Sequence, residues 1–439
     1  MGSTESGKRL GIDRDPARGK DVRPRPRVVS ALSARPSRAA QAVASIARDS
    51  YGRLLAVLAA PGRDLVAAED ALADALERAL TRWETDGVPA KPEAWVLTVA
   101  RNRLRDLWKS SGYRLNAPLE GIDPVAEEID AAEIPDRRLE LMLVCAHPAI
   151  AAAVRTPLML QTVLGIDSAA IAAAFAVEPA AMAQRLVRAK RRIRDTGIPF
   201  AMPAREDLAA RLPAVLETVY GAYAIDRRRE PGGAPQESLS AEALHLALTL
   251  TELLPDEPEV LGLAALVCLA EARRSARVDA DGVFVPLDEQ DPSVWDRSLL
   301  HRGEDLLARA HRCGRPGRFQ YEAAIQSAHS SRAFGVPVDP HVVRKLYRAL
   351  VLVAPSLGAR VALAALDGEI DGPLAGLRSL DRLDAKDFQP AWVVRGHLLT
   401  AAGRLAEGGA AYRRSAGLTT DPAVVEYLVK LMQANDIRP

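Results

Sequence analysis

The chain has 439 residues, of which 48% are hydrophobic and only 4% aromatic, and its 58 Lys/Arg against 57 Asp/Glu leave a formal net charge of +1. That length is too great for one ordinary core and predicts two to four domains, while apolar content dominated by Ala and Leu favours helix over strand, so the expected fold is all-α. The small net charge excludes a uniformly basic or acidic molecule, yet the charges are segregated: residues 1–38 hold ten Lys/Arg against four acids, and residues 112–136 hold one Arg against seven.

Residues 1–38 are rich in Gly, Pro, Arg and Ser with almost no large apolar side chain, and are expected to form a disordered basic tail. From Ala39 to Ser111 the pattern turns helical. Leu54, Leu55 and Leu58 mark one helix, Val66 to Trp83 a second and Pro92 to Lys109 a third, so this stretch predicts a three- or four-helix unit. Its last helix turns Trp95, Val96, Ala100, Leu104 and Leu107 toward a core and leaves Arg101, Asn102, Arg105 and Lys109 elsewhere, a basic surface. Between the last two helices, Trp83 to Pro92 reads as a defined loop because Asp86-Gly87 and two prolines fall within it. Residues 112–136 lack apolar periodicity and read as an acidic linker.

The segment Ser168 to Arg194 carries the strongest signal in the chain. Ser168 is placed to cap a short helix bearing Ile171 and Phe175, a short break follows, and Glu178-Pro179 forms an N-cap and first-turn pair for a second helix. That arrangement predicts a helix-turn-helix. On the second helix, Met182, Leu186, Ala189 and Ile193 share one side, while Gln184, Arg185, Arg188, Arg191 and Arg192 lie on the others. A merely solvated face mixes signs so that acids and bases pair along the helix, but Ala180 to Arg194 contains no acid. Unpaired cations on one face suit phosphate.

Beyond Phe200 the basic bias ends and helices continue to the C-terminus, with Leu253 to Pro258 as a turn. The stretches from Gly372 and Gly403 overlay at an offset of 31 residues, and Pro390 and Pro422 lie 32 apart, which predicts a stacked helical-repeat domain over 201–439 nearest to the tetratricopeptide type. Within it, Arg277 to Val285 contains Asp279, Asp281 and Gly282, but the spacing fails for a calcium loop, and a small β-turn is expected instead.

No catalytic motif for phosphate, metal, serine-nucleophile or dinucleotide chemistry is present, so no enzyme activity and no cofactor are expected. Cys145, Cys268 and Cys313 are odd in number and far apart, which points to a reducing compartment. Cys145 and His147 cannot close a zinc site by themselves, and no metal is expected. With no apolar run of membrane length and a polar N-terminus, the expected location is the cytoplasm, associated with the nucleoid, with no membrane contact.

Two basic helical units joined by an acidic linker resemble the extracytoplasmic-function sigma factors of bacterial RNA polymerase. Residues 68–83 (AEDALADALERALTRW) with 92–111 (PEAWVLTVARNRLRDLWKSS) look like sigma region two, and 136–200 look like region four. The run PDRRL from Pro135, His147-Pro148, and the later stretches LLPDEPEVLGLAAL, ARVDADG and GRPGRFQ are similar to the subgroup with a long tetratricopeptide-like C-terminal extension. The resemblance implies two sigma domains, at 39–111 and 137–200, plus the repeat domain at 201–439, and core RNA polymerase and promoter DNA as partners. It implies that Asp70, Asp74, Glu77 and Arg78 dock on the clamp of the largest subunit. It further implies that Asp86, Lys91, Arg101, Asn102 and Arg105 surround the minus-ten element, where a base is flipped and held, and that Gln184, Arg185, Arg188, Lys190 and Arg191 meet the minus-thirty-five element. Region four would also contact the polymerase flap, and the repeat domain would regulate initiation or take a protein partner. The competing reading is a conventional helix-turn-helix regulator with a repeat-type sensor, which binds duplex DNA without polymerase.

Overall fold

A computed structural model of the protein describes residues 36–109, 134–226 and 239–434. Nearly all of the expected basic tail and of the expected acidic linker lie outside the described residues, and at the tail's expected end Ser37 caps and Arg38 opens the first helix. Within them the fold is all-α, with no strand.

The first unit comprises α1 (Arg38–Ser45), α2 (Tyr51–Gly62), α3 (Leu65–Asp86) and α4 (Pro92–Lys109), with one π-helical turn (Ile46–Ser50) between α1 and α2. The Asp64 side chain caps α3 by accepting from Val66 N and Ala67 N, and Ala68, Ala71, Leu72, Ala75 and Ala79 form the buried stripe behind it. Helix α3 runs three residues past Trp83, so the expected loop contracts to residues 87–91. Trp83 is buried against Trp95, with ring centroids 5.3 Å apart in an edge-on arrangement, and this pair joins the end of α3 to the start of α4.

The second unit holds α5 (Arg138–Cys145), α6 (Ala152–Thr162), α7 (Ser168–Ala174) and α8 (Pro179–Thr196). It continues without a break in the core into α9 (Arg205–Asp226), α10 (Leu239–Leu253), α11 (Pro258–Glu271), α12 (Arg297–Arg312) and α13 (Arg318–Ser330). Helix α11 is buried on every side from Val260 to Ala270, as its unbroken apolar sequence requires, and α9, α10, α12 and α13 surround it. Gly262 and Gly303 permit that enclosure. A Cβ on Gly262 would lie 2.7 Å from Gln320 N, and one on Gly303 would lie 2.6 Å from Leu269 Cγ.

Separate cores on either side of residue 200 are the expectation that this architecture corrects. A single buried cluster runs from Ala39 to Ala323. Helix α9 lies on α6, the Arg211 guanidinium donates to Leu143 O at 3.2 Å, and Arg137 donates to Phe200 O at 2.7 Å. The expected boundary therefore marks a change in charge, not in packing.

The last helices are α14 (Pro340–Val353), α15 (Leu357–Asp371), α16 (Pro373–Asp381), α17 (Gln389–Ala401), α18 (Leu405–Ala416) and α19 (Pro422–Ala434), and they have smaller cores of their own. The stretches that overlay in sequence fall on α16 and α18. Pro390 and Pro422 each sit in the first turn of a helix, where a missing N–H does no harm, so they open α17 and α19 instead of closing the helices before them. Small residues stand where paired helices touch: a Cβ on Gly396 would fall 2.3 Å from Tyr412 Cε1. Gly396→Ala is expected to destabilise this array by about 1–3 kcal/mol through overpacking, read as a lowered denaturant midpoint. The Asp279 region is a turn closed by one bridge between Val278 and Phe284, with Gly282 at φ +80° and the Asp279 carboxylate accepting from Asp281 N and Val283 N.

Candidate nucleic-acid and polymerase interface

Helices α7 and α8 meet at 112° across a four-residue break. Asp167, one residue earlier than the expected Ser168, caps α7 by accepting from Ala169 N at 2.7 Å. Ile171 is buried as its spacing predicts, whereas Phe175 is 41% exposed because it lies past the last turn of α7, where the chain reverses through Ala176 at φ +50°. Glu178 accepts from Ala181 N at 2.9 Å and Pro179 follows at the first helical position, so α8 starts where the sequence places it. Gly197 ends it in the left-handed region at φ +61°.

Met182, Leu186, Ala189 and Ile193 are buried, and Gln184, Arg185, Arg188, Arg191 and Arg192 are exposed. None of these four arginines forms an ion pair among the described residues, so their charge faces outward. The packing stripe and the cationic face are thus opposite sides of one helix, which gives the cations a rigid mount.

Lys190 departs from the expected DNA-facing set. It is 3% exposed, and its ammonium donates to both carboxylate oxygens of Glu69 on α3, at 2.5 and 2.7 Å. The reason is positional: Lys190 follows Leu186 by four residues, which puts it on the packing stripe and not among the outward cations. Glu69 is the functional partner that sequence reasoning missed, and a lysine inside an apolar register was its one visible signal.

On α3, Asp70, Glu77 and Arg78 are exposed and Asp74 is half-buried, paired with Arg103 of α4 at 2.9 Å. Asp74, Glu77 and Arg78 line an open groove of about 610 Å³ with Thr81, Arg82, Trp95 and Val99. Charged rims around an aromatic and an aliphatic floor suit the docking of a partner element better than a small polar ligand.

The remaining expected set divides into two groups. Asp86 ends α3, paired with Arg82 at 2.8 Å, and Lys91 stands exposed just before α4. Arg101, Asn102 and Arg105 lie further along α4, roughly 15–21 Å from Lys91 at the helical rise of about 1.5 Å per residue. Arg105 donates to Asn102 Oδ1 at 3.0 Å. Burial, and then the neighbouring Arg105 charge, lower the Arg101 pKa from the ordinary guanidinium range, so an arriving anion relieves a crowded pair of cations.

The end of the acidic segment is fastened at Asp136. Arg138 bridges its carboxylate, at 2.5 Å, to Glu242 of α10, and His245 of the same helix stands 3.4 Å away. Burial opposes the Asp136 charge, but the Arg138 hydrogen bonds and charge, with His245 behind them, outweigh it and hold the carboxyl at about 2. A carboxyl depressed on folding contributes stability above its unfolded value near 4 and loses it as pH falls toward 2. Unfolding followed from pH 5 to pH 2 is therefore expected to show an acid-labile step that Asp136→Asn flattens.

Cys145 is a buried thiol, pushed up to about 12 by burial, with its sulfur 3.6 Å from the Thr162 hydroxyl. Among the described residues no group of three His, Cys, Asp or Glu side chains could hold a metal, and no single helix is long and apolar enough to cross a membrane.

Residues 46–113 match the family Sigma-70 region 2, which covers α2 to α4, and residues 211–311 match a family of unknown function (DUF6596), which runs from α9 to α12. An uncharacterized protein of Rhizobium meliloti (strain 1021) is 33% identical over 378 residues, covering 83% of this chain and 89% of its own. No solved structure matches. With that extent of identity the chain belongs to the family of the Rhizobium meliloti protein, and the Sigma-70 region 2 domain that it carries supports a sigma-factor role in transcription initiation.

Proposed function

We propose that this protein is an alternative sigma factor of the extracytoplasmic-function type, which binds core RNA polymerase and directs it to a small set of promoters. The observation that carries the reading is the outward cationic face of α8, set on a helix-turn-helix beside a region-two domain. Gln184, Arg185, Arg188 and Arg191 read and hold the minus-thirty-five element, Arg and Gln pairing with base edges while neighbouring cations meet phosphate. Asp86, Lys91, Arg101, Asn102 and Arg105 serve the minus-ten element, with captured single strand laid along the α4 cations. Asp70, Asp74, Glu77 and Arg78 dock α3 on the polymerase clamp, and the groove bordered by Asp74, Glu77 and Arg78 takes part of that partner.

The protein acts in the cytoplasm, at the nucleoid, and is no enzyme on its own. Its C-terminal helices, read as a tetratricopeptide-like array, regulate initiation. The deep junction of α9 with α6 supports this, because any force on the array reaches region four through packed side chains. The test is run-off transcription with purified core RNA polymerase and a genomic fragment library, with and without the protein. New defined start sites support the proposal, whereas duplex binding by the protein alone with no start sites returns the conventional-regulator reading.

A further inference from the structure

Residues 277–290 link the core around α9 and α11 to the last helix of the C-terminal array. Arg277 donates to Tyr223 Oη of α9 and to Ala270 O of α11, each at 2.6 Å. Further on, the Phe284 ring meets Tyr427 of α19 edge-on with centroids 5.8 Å apart, and Phe284 N donates to Ala423 O at 3.5 Å. Beyond Phe284 the segment is held by its backbone, since Arg332 donates to Leu287 O at 2.6 Å and to Gln290 O at 3.0 Å. Those carbonyl contacts do not depend on the side chains at 287 and 290. The receiving surface is aromatic and rich in donors. His397 lies edge-on against Tyr412 with centroids 5.5 Å apart, and the Arg273 and Arg332 guanidiniums each stand 5.8 Å from the Trp295 ring. The acids that act on His329, His397 and Tyr427 come from the segment itself, Asp288 on all three and Glu289 on Tyr427. With four acids against one Arg over 277–290, the segment complements this surface in charge. It is lightly seated all the same: Phe284, Asp288 and Glu289 are exposed, and between 278 and 290 only Val283 and Gln290 are buried.

We propose that residues 277–290 are the internal occupant of a peptide-docking surface formed around His329, Arg332, His397 and Tyr427. The partner taken there in their place is an acidic segment with an aromatic side chain four positions ahead of its first acid, as Phe284 stands to Asp288. Grips on the peptide backbone supply part of the affinity, and the aromatic and acidic side chains choose the sequence. Exchange is possible because the partner remakes the contacts that the internal segment gives up. Tethering gives the internal segment a high effective concentration, so the partner prevails only when it is abundant or makes an added contact, and the array responds as a threshold. The docking surface stands independently of the sigma-factor reading, whereas its consequence, that an occupied array alters initiation, rests on that reading.

The test uses the full chain and a fluorescein-labelled peptide of sequence GVFVPLDEQD, residues 282–291, followed by anisotropy. Phe284→Ser, Asp288→Asn and Glu289→Gln together weaken the internal occupant and leave the receiving surface intact. All three side chains are exposed, so helical circular dichroism should not change. This variant should bind the peptide at least tenfold more tightly than the native chain, and adding Tyr427→Ala should abolish the gain. A peptide carrying the same three changes should bind neither chain. Equal affinity of the two chains, no binding by either, or full binding of the altered peptide overturns the proposal. Should the variant fail to fold, hydrogen exchange of the native chain decides: saturating peptide should speed exchange over 277–290 and leave α11 unchanged, and an unmoved rate overturns the displacement. Run-off transcription separates the two readings. Exchange of peptide with unchanged initiation overturns the regulatory consequence, and exchange with no start sites from any form leaves the docking surface standing and sinks the sigma-factor reading instead.

Discussion

Arg185→Glu together with Arg188→Glu is expected to abolish promoter-directed transcription while leaving the complex with core RNA polymerase intact. Both side chains are exposed on α8, so the change enters no core, and helix content should be unaltered. A good base-edge contact is worth about 1–3 kcal/mol of discrimination, so losing two predicts a fall of roughly 10²- to 10⁴-fold in promoter affinity, deepened by acids facing phosphate. The salt dependence should flatten as well, its slope falling by about one for each cation that had met a phosphate. Polymerase binding is assigned to α3, on the other unit, so co-elution with core enzyme should persist. Normal promoter selectivity in the double variant would falsify the assignment of α8 as the reader. Loss of polymerase binding along with transcription would show instead that α8 is part of the polymerase contact.

Removal of everything from Ala201 onward is expected to unfold the second unit, against the independence that composition suggests. Leu212, Val215, Leu216 and Val219 of α9 are buried in the same cluster as Leu158, Met159 and Leu160 of α6, and Arg211 holds Leu143 O. Burying a large aliphatic side chain contributes about 1.5–3 kcal/mol, so losing several such contacts equals much of the roughly 5–15 kcal/mol by which a domain is stable. The stump should therefore lose cooperative thermal unfolding and bind a hydrophobic dye. A stump over 36–200 that melts cooperatively near the full-length temperature would show that α9 covers its core without supporting it. The DUF6596 match begins at residue 211, inside α9, so the matched segment includes the helix that packs on α6 and is a structural part of the second unit.

Local rules were enough for much of this molecule. Glu178-Pro179 and Gly197 bound α8 in sequence as they do in space, since capping and left-handed turns depend on a few adjacent residues. The outward placement of Gln184, Arg185, Arg188, Arg191 and Arg192 was equally legible, because helical periodicity fixes which side chains share a face. The all-α class followed from composition.

Tertiary structure decided what lies across those faces. Nothing near Lys190 in the chain indicates Glu69, 121 residues away, so a cation that seemed to belong with its DNA-facing neighbours became half of an inter-unit ion pair. The continuity of the core across residue 200 was hidden for the same reason: the apolar stripes of α6 and α9 are each visible in sequence, but a stripe states only that it must be covered. The segregated charges that drew a boundary there describe the surface, whereas domain limits follow buried contacts. The sequence by itself determined which helices form and which sides face water; which helix covers which stripe depends on close packing between distant segments, and only the folded chain supplies it.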